Sequence, residues 1–146
     1  MKHTHSIRSV FIATLCTLAS LWIFSAAHAQ VAVIVHPSNS SELDEGTIKK
    51  IFLGKTTKFN DGKIALPLNG AKDSAPREYF NNTVLGRTTN QVNSYWSKLV
   101  FTGKGEMPKE VDSDAEVVST VAANQGAIGY VDPSAVNDSV KVVANF

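Results

Sequence analysis

Residues 69 to 77 read Asn-Gly-Ala-Lys-Asp-Ser-Ala-Pro-Arg and hold the densest potential chemistry in the chain. An apolar run, Ile64 to Leu68, stops at this polar turn, and a helical pattern starts beyond it with Pro76 in its first turn. A strand, a tight polar loop and a helix start, in that order, make an anion site. The first N–H groups of the helix lack partners, and the positive end of its dipole faces the loop. Ser74 adds a hydroxyl and Arg77 a guanidinium fork suited to an oxyanion. The same residues also fit a plainer role, in which Asp73 or Ser74 only caps the helix and Pro76 sits where proline is tolerated.

A second polar loop, Ser38-Asn39-Ser40-Ser41, also follows a strand pattern and precedes a helix, so Ser38 is a further anion-ligand candidate; ordinary loop solvation explains it equally well. His36 would reach the first loop if the two strands were neighbours, and is otherwise a plain loop histidine. Catalysis is not expected. No G-x-S-x-G elbow is present, and a serine nucleophile would need a positioned base. One histidine downstream of residue 30 does not make a zinc site, and no cofactor is implied.

The N-terminus reads as a targeting segment. Lys2 and Arg8 form a positive region, Val10 to Phe24 is apolar, and Ala27-His28-Ala29 has the small-x-small form of a cleavage site. Residues 1–29 are expected to be a cleaved signal peptide and residues 30–146 a single α/β domain, placed in the periplasm or secreted. The only cysteine, Cys16, would leave with the signal, and Leu15 before it is too bulky for a typical lipidation box. The domain would then fold on its apolar core without a disulfide. The 14 basic and 13 acidic residues are close to balance, and no basic stripe interleaves with aromatics. That argues against nucleic acid as a partner and gives no pull towards anionic membranes.

The remaining pattern supplies the elements that must position the loop. Val31 to Val35 is a β-branched run expected to be a strand buried on both faces. Asp44 is the expected N-cap of a helix with Ile48, Ile51 and Phe52 inside and Gly54 just past its end. A tight turn at Asn60-Asp61-Gly62 leads into a strand over Lys63 to Leu68. The helix after the focal loop is expected to run to about Leu85 and stop at Gly86. Thr88 and Gln91 have capping-box spacing before the stripe Val92, Tyr95, Trp96, Leu99 and Val100. Ser113 and Glu116 repeat that spacing before Val117, Val118, Val121 and Ala122. Ala127 to Val131 predicts a buried strand with a close backbone approach at Gly129, and Val140 to Val143 a last strand. Strands alternating with helices predict an α/β layer around a mostly parallel mixed sheet.

Four segments in this order resemble the phosphate-binding proteins of bacterial ABC transporters, in the type 2 periplasmic-binding-protein superfamily. They are Leu43 to Gly54, Asp73 to Phe80, Val84-Leu85-Gly86 with the Trp96 helix and Phe101 to Gly105, and Val118 to Val131 with its ending Gly126-Ala127-Ile128-Gly129-Tyr130-Val131. The resemblance implies one lobe of that fold. It also implies a non-enzymatic role in phosphate uptake or sensing, with inorganic phosphate or a similar oxyanion as ligand. A membrane transporter or sensor protein, or a second copy in a homodimer, would be the macromolecular partner. In the family a Ser-Gly-Thr loop holds phosphate through backbone N–H groups and hydroxyls. Carried onto this chain, Ser74 takes the serine role and Arg77 the arginine that follows the threonine. The ligand-binding candidates are therefore Ser74, Arg77, Asp73, Ala75, Asn69 and Ser38.

This chain departs from that pattern in four respects. The family threonine falls on Pro76, which has neither a hydroxyl nor a backbone donor. The glycine falls on Ala75, and Asn69 and Gly70 stand where an arginine is often found. The family closes two lobes around its ligand, and this chain has residues for one. A half-solvated anion is held weakly, so affinity on the order of millimolar is expected. The alternative is an interaction or adaptor module of the envelope without a small ligand.

Overall fold

The computed structural model describes residues 30–146. The signal-peptide and lipidation readings fall on residues 1–29 and lie outside the described residues. The elements run β1 (Ala32–Val35), α1 (Glu45–Phe52), β2 (Leu66–Asn69), α2 (Ala75–Phe80), a π-helical turn (Asn81–Leu85), α3 (Thr89–Phe101), β3 (Lys109–Glu110), α4 (Asp114–Ala123), β4 (Ala127–Val131), a 3-10 turn (Pro133–Ala135) and β5 (Lys141–Asn145).

The five strands form one mixed sheet in the order β3-β2-β4-β1-β5. β2 runs parallel to β3 and to β4, and β1 runs antiparallel to both β4 and β5. The sheet is mixed as expected, with parallel and antiparallel pairings in equal share. The continuous apolar run of β1 marks burial on both faces, and burial alone does not set strand direction.

Alternation along the strands splits the core in two. Val33, Val35, Ile128 and Tyr130 face α1, the α2 segment and α3, whereas Ile34, Leu68, Ala127 and Val131 face α4. The helix boundaries follow their caps. Asp44 accepts the N–H of Thr47, and Gly54 takes a left-handed φ of 66° past the end of α1. Thr88 and Gln91 close a full capping box on α3. Ser113 accepts the N–H of Glu116, but the Glu116 carboxylate turns to the N–H of Asp112 instead of that of Ser113.

β2 begins and ends later than the sequence indicates. Phe59 N–H donates to the Lys63 carbonyl across the Asn60–Gly62 turn, and Lys58 bridges Ile64. That small hairpin keeps Ile64 out of the sheet, 63% exposed. Pro67 is tolerated in β2 because β3 pairs only with Leu68 and Asn69, so the proline has no ladder partner on that side. Past Phe80 the helix widens by one residue, and the Gly86 N–H reaches the Asn81 carbonyl before Gly86, at φ 66°, ends it.

Gly129 sits in β4 under α4, where an added Cβ would lie 2.5 Å from Val117 Cγ1. Val117 is fully buried and, being β-branched in a helix, has one favoured rotamer. Gly129→Ala is expected to cost about 1–3 kcal/mol through overpacking, read as a lower urea midpoint at unchanged slope.

Candidate functional site

Parallel pairing brings the C-terminal ends of β2 and β4 to one end of the sheet, and the focal loop leaves from there. Both ends of the described chain lie at this end too, since Val31 and Phe146 exchange backbone hydrogen bonds. An aromatic stack sets the floor of the loop. The Phe80 and Tyr130 rings lie 4.0 Å apart and nearly parallel, and Phe52 meets Phe80 edge-on at 4.7 Å. This aims the Tyr130 hydroxyl at the loop. It donates to Asn69 Oδ1 and accepts the Gly70 N–H, both at 3.3 Å. Burial pushes the Tyr130 phenol well above its ordinary range, opposed in part by the Gly70 hydrogen bond and the Arg77 charge, so it stays neutral at physiological pH.

Ser74 caps α2, with its Oγ accepting the Arg77 N–H at 3.4 Å. It is half-buried, while Lys72, Asp73 and Ala75 stand exposed around it. Ser74 Oγ packs against Gly70, where an added Cβ would lie 3.5 Å from it. An open groove of about 350 Å³ adjoins the loop, bordered by Lys72, Asp73, Ser74, Glu78, Thr88 and Thr89. Its charges are one ammonium and two carboxylates, so the groove carries no net positive charge, and the dipoles it offers are those of backbone and hydroxyl groups.

Three candidates lie elsewhere than the sequence suggests. Arg77 does not face the open loop. Its side chain is 3% exposed, and one of its terminal nitrogens donates to the Gly70 carbonyl at 3.1 Å and to Glu110 Oε2 at 2.5 Å. Asn69 is turned inward, with its side chain on Tyr130 and its carbonyl accepting the Val111 N–H. Ser38 follows the end of β1 that pairs with Ile128 and Lys141, the opposite end of the sheet from Asn69. A strand length of about 13 Å separates the two ends. His36 is there too, 2.7 Å from Ser38 Oγ, and β4 stands between β1 and β2, so the histidine does not reach the focal loop. The loop therefore gathers Asp73, Ser74 and Ala75 at its surface, with Arg77 and Asn69 beneath.

Glu110 and Tyr130 are the residues the sequence reading missed. Glu110 lies on a two-residue edge strand, Lys109–Glu110, in a stretch to which the sequence assigns no element. The one local signal was Val111 beside it, an isolated apolar residue that proves buried. Tyr130 was read only as strand core, and the polar end of its ring was the unused clue.

A family model described as a PBP superfamily domain matches residues 13–144. Among solved structures, a phosphate ABC transporter substrate-binding protein from Clostridium perfringens, determined with bound phosphate, shares 27% identity at a TM-score of 0.62; the match covers 77% of this chain and 43% of that one. An ABC-type phosphate transport receptor from Vibrio cholerae shares the fold at 18% identity and a TM-score of 0.57, with 77% and 44% covered. PstS from Borrelia burgdorferi does so at 12% identity and a TM-score of 0.54, with 78% and 46% covered. A search of curated proteins found no match. The chain thus spans less than half the length of these structures, and it belongs to the family of PBP superfamily domains.

Proposed function

We propose that the protein is an exported, single-lobe, phosphate-receptor-like module that binds phosphate or a similar oxyanion weakly at the loop of residues 69–77. Ser74 Oγ and the backbone of Asp73 to Ala75 are its surface ligands, with Arg77 held behind them. The observation that carries this reading is the Ser74-capped helix start opening on a solvent groove, in a chain similar to a substrate-binding protein solved with phosphate. Weak binding follows from the geometry. Pro76 has no N–H to offer, and Glu110 already holds the guanidinium. The role is ligand capture for phosphate uptake or sensing, handed to a membrane transporter or sensor from the periplasmic or extracellular side, and not catalysis.

The adaptor reading is favoured by one observation, the neutralised arginine. Calorimetric titration of residues 30–146 with phosphate and with sulfate at fixed ionic strength separates the two. Receptor function predicts a dissociation constant on the order of 1 mM for phosphate, and a Ser74→Ala variant weakened about fivefold through loss of one hydroxyl ligand. No heat from either anion up to tens of millimolar, or a Ser74→Ala variant equal to wild type, would transfer support to the adaptor reading. A pull-down from envelope extract with sedimentation of the pure protein would then identify the partner.

A further inference from the structure

We propose that Glu110 is a built-in competitor for the oxyanion seat on Arg77, so that an incoming phosphate gains the guanidinium only by displacing a carboxylate of the protein itself. This rests on the receptor reading above and adds the residue that sets its affinity. A carboxylate and a phosphate offer a guanidinium the same chemistry, anionic oxygens spaced to meet its N–H fork. Glu110 Oε2 sits 2.5 Å from the terminal nitrogen of Arg77, where an oxygen of a bound oxyanion would sit.

The two partners differ in their freedom to leave. Arg77 is fixed, with its side chain 3% exposed and its terminal nitrogen anchored to the Gly70 carbonyl. Glu110 is 45% exposed and stands on a two-residue strand at the edge of the sheet. Returning a half-exposed carboxylate to water costs little, whereas a buried guanidinium stripped of its anion has no comparable escape. Exchange therefore moves Glu110 and leaves Arg77 in place. The vacated seat adjoins the loop that carries Ser74, because the Gly70 carbonyl that anchors Arg77 belongs to the residue packed against Ser74 Oγ. With Glu110 in place the guanidinium below the loop is already paired. With Glu110 displaced it presents a desolvated guanidinium beside a hydroxyl and a helix start.

The test uses residues 30–146 as wild type, Glu110→Gln and Glu106→Gln, titrated with sodium phosphate at constant ionic strength by calorimetry and by NMR. Glu110→Gln keeps a hydrogen-bond acceptor for Arg77 but removes the competing charge, and is expected to bind phosphate about tenfold more tightly. Glu106→Gln removes the same charge from an exposed position in the preceding loop and should match wild type. In wild type, which needs no substitution to fold, the Glu110 side-chain carboxyl carbon should shift with the same midpoint as the Ser74 amide. If wild type binds phosphate while Glu110→Gln binds no better, or while the Glu110 carbon stays fixed, the competitor is disproved and the receptor reading stands. Binding by Glu110→Gln alone supports the competitor and removes the wild-type receptor. Binding by neither protein removes both.

Discussion

Glu110→Ala should destabilise the fold more than Arg77→Met does, although both break one ion pair. Deleting Glu110 leaves the Arg77 guanidinium buried, with the Gly70 carbonyl as its one remaining hydrogen-bond partner among the described residues. An unpaired buried charge is expected to cost about 3 kcal/mol, the lower end of the range for such pairs because Glu110 itself is half in water. Arg77→Met keeps most of the side-chain volume and lets water solvate Glu110. What remains is a buried Gly70 carbonyl without its side-chain donor, worth about 1–2 kcal/mol. The double variant should resemble Arg77→Met alone, because the charge left stranded by the first change is then gone. Thermal unfolding measures this, with midpoints falling by about 4 °C per kcal/mol in a domain of this size. Equal losses for the two single variants would mean that the pair is solvated more evenly than the structure shows.

Trp96→Ala should be about as damaging, at roughly 3–5 kcal/mol. Trp96 is 2% exposed, and its ring fills the space left by two glycines on different loops. A Cβ on Gly54 would lie 2.6 Å from Cη2, and one on Gly105 would lie 3.3 Å from Cζ3. The ring thus fastens the end of α1 and the loop after α3 to a single residue. Its Nε1 has no hydrogen-bond partner among the described residues, so Trp96→Phe removes area without orphaning a partner and should cost only about 1–2 kcal/mol. Urea unfolding followed by circular dichroism reads both variants. A Trp96→Phe loss as large as that of Trp96→Ala would place the stabilisation in the indole N–H, contrary to this packing.

Much of the scaffold was legible because it is written locally. Asp44 with Thr47, Thr88 with Gln91, and Ser113 with Glu116 each lie three residues apart, and each fixed a helix start. Gly54 and Gly86 fixed two helix ends through their left-handed backbone. The run Ala127 to Val131 was read within its observed bounds. What escaped was non-local. The direction of β1 depends on pairing with residues about a hundred positions away, and the two residues of β3 carry no period to detect. At the candidate site the Ser74 cap was readable, but the fate of Arg77 was not. Its anionic partner is 33 residues downstream, and which carboxylate reaches a buried arginine is decided by the sheet register. Ser38 was grouped with the site by loop chemistry, and the antiparallel run of β1 carries it to the other end.

The most direct measurement is a phosphate titration of isotopically labelled residues 30–146 followed by backbone amide NMR. The account predicts saturable shifts centred on Asp73, Ser74 and Ala75 with a midpoint on the order of 1 mM, and no comparable shifts at Ser38 to Ser41. Amides of residues 73–75 that stay fixed through tens of millimolar phosphate, or a saturable response centred on the Ser38 loop, would contradict it.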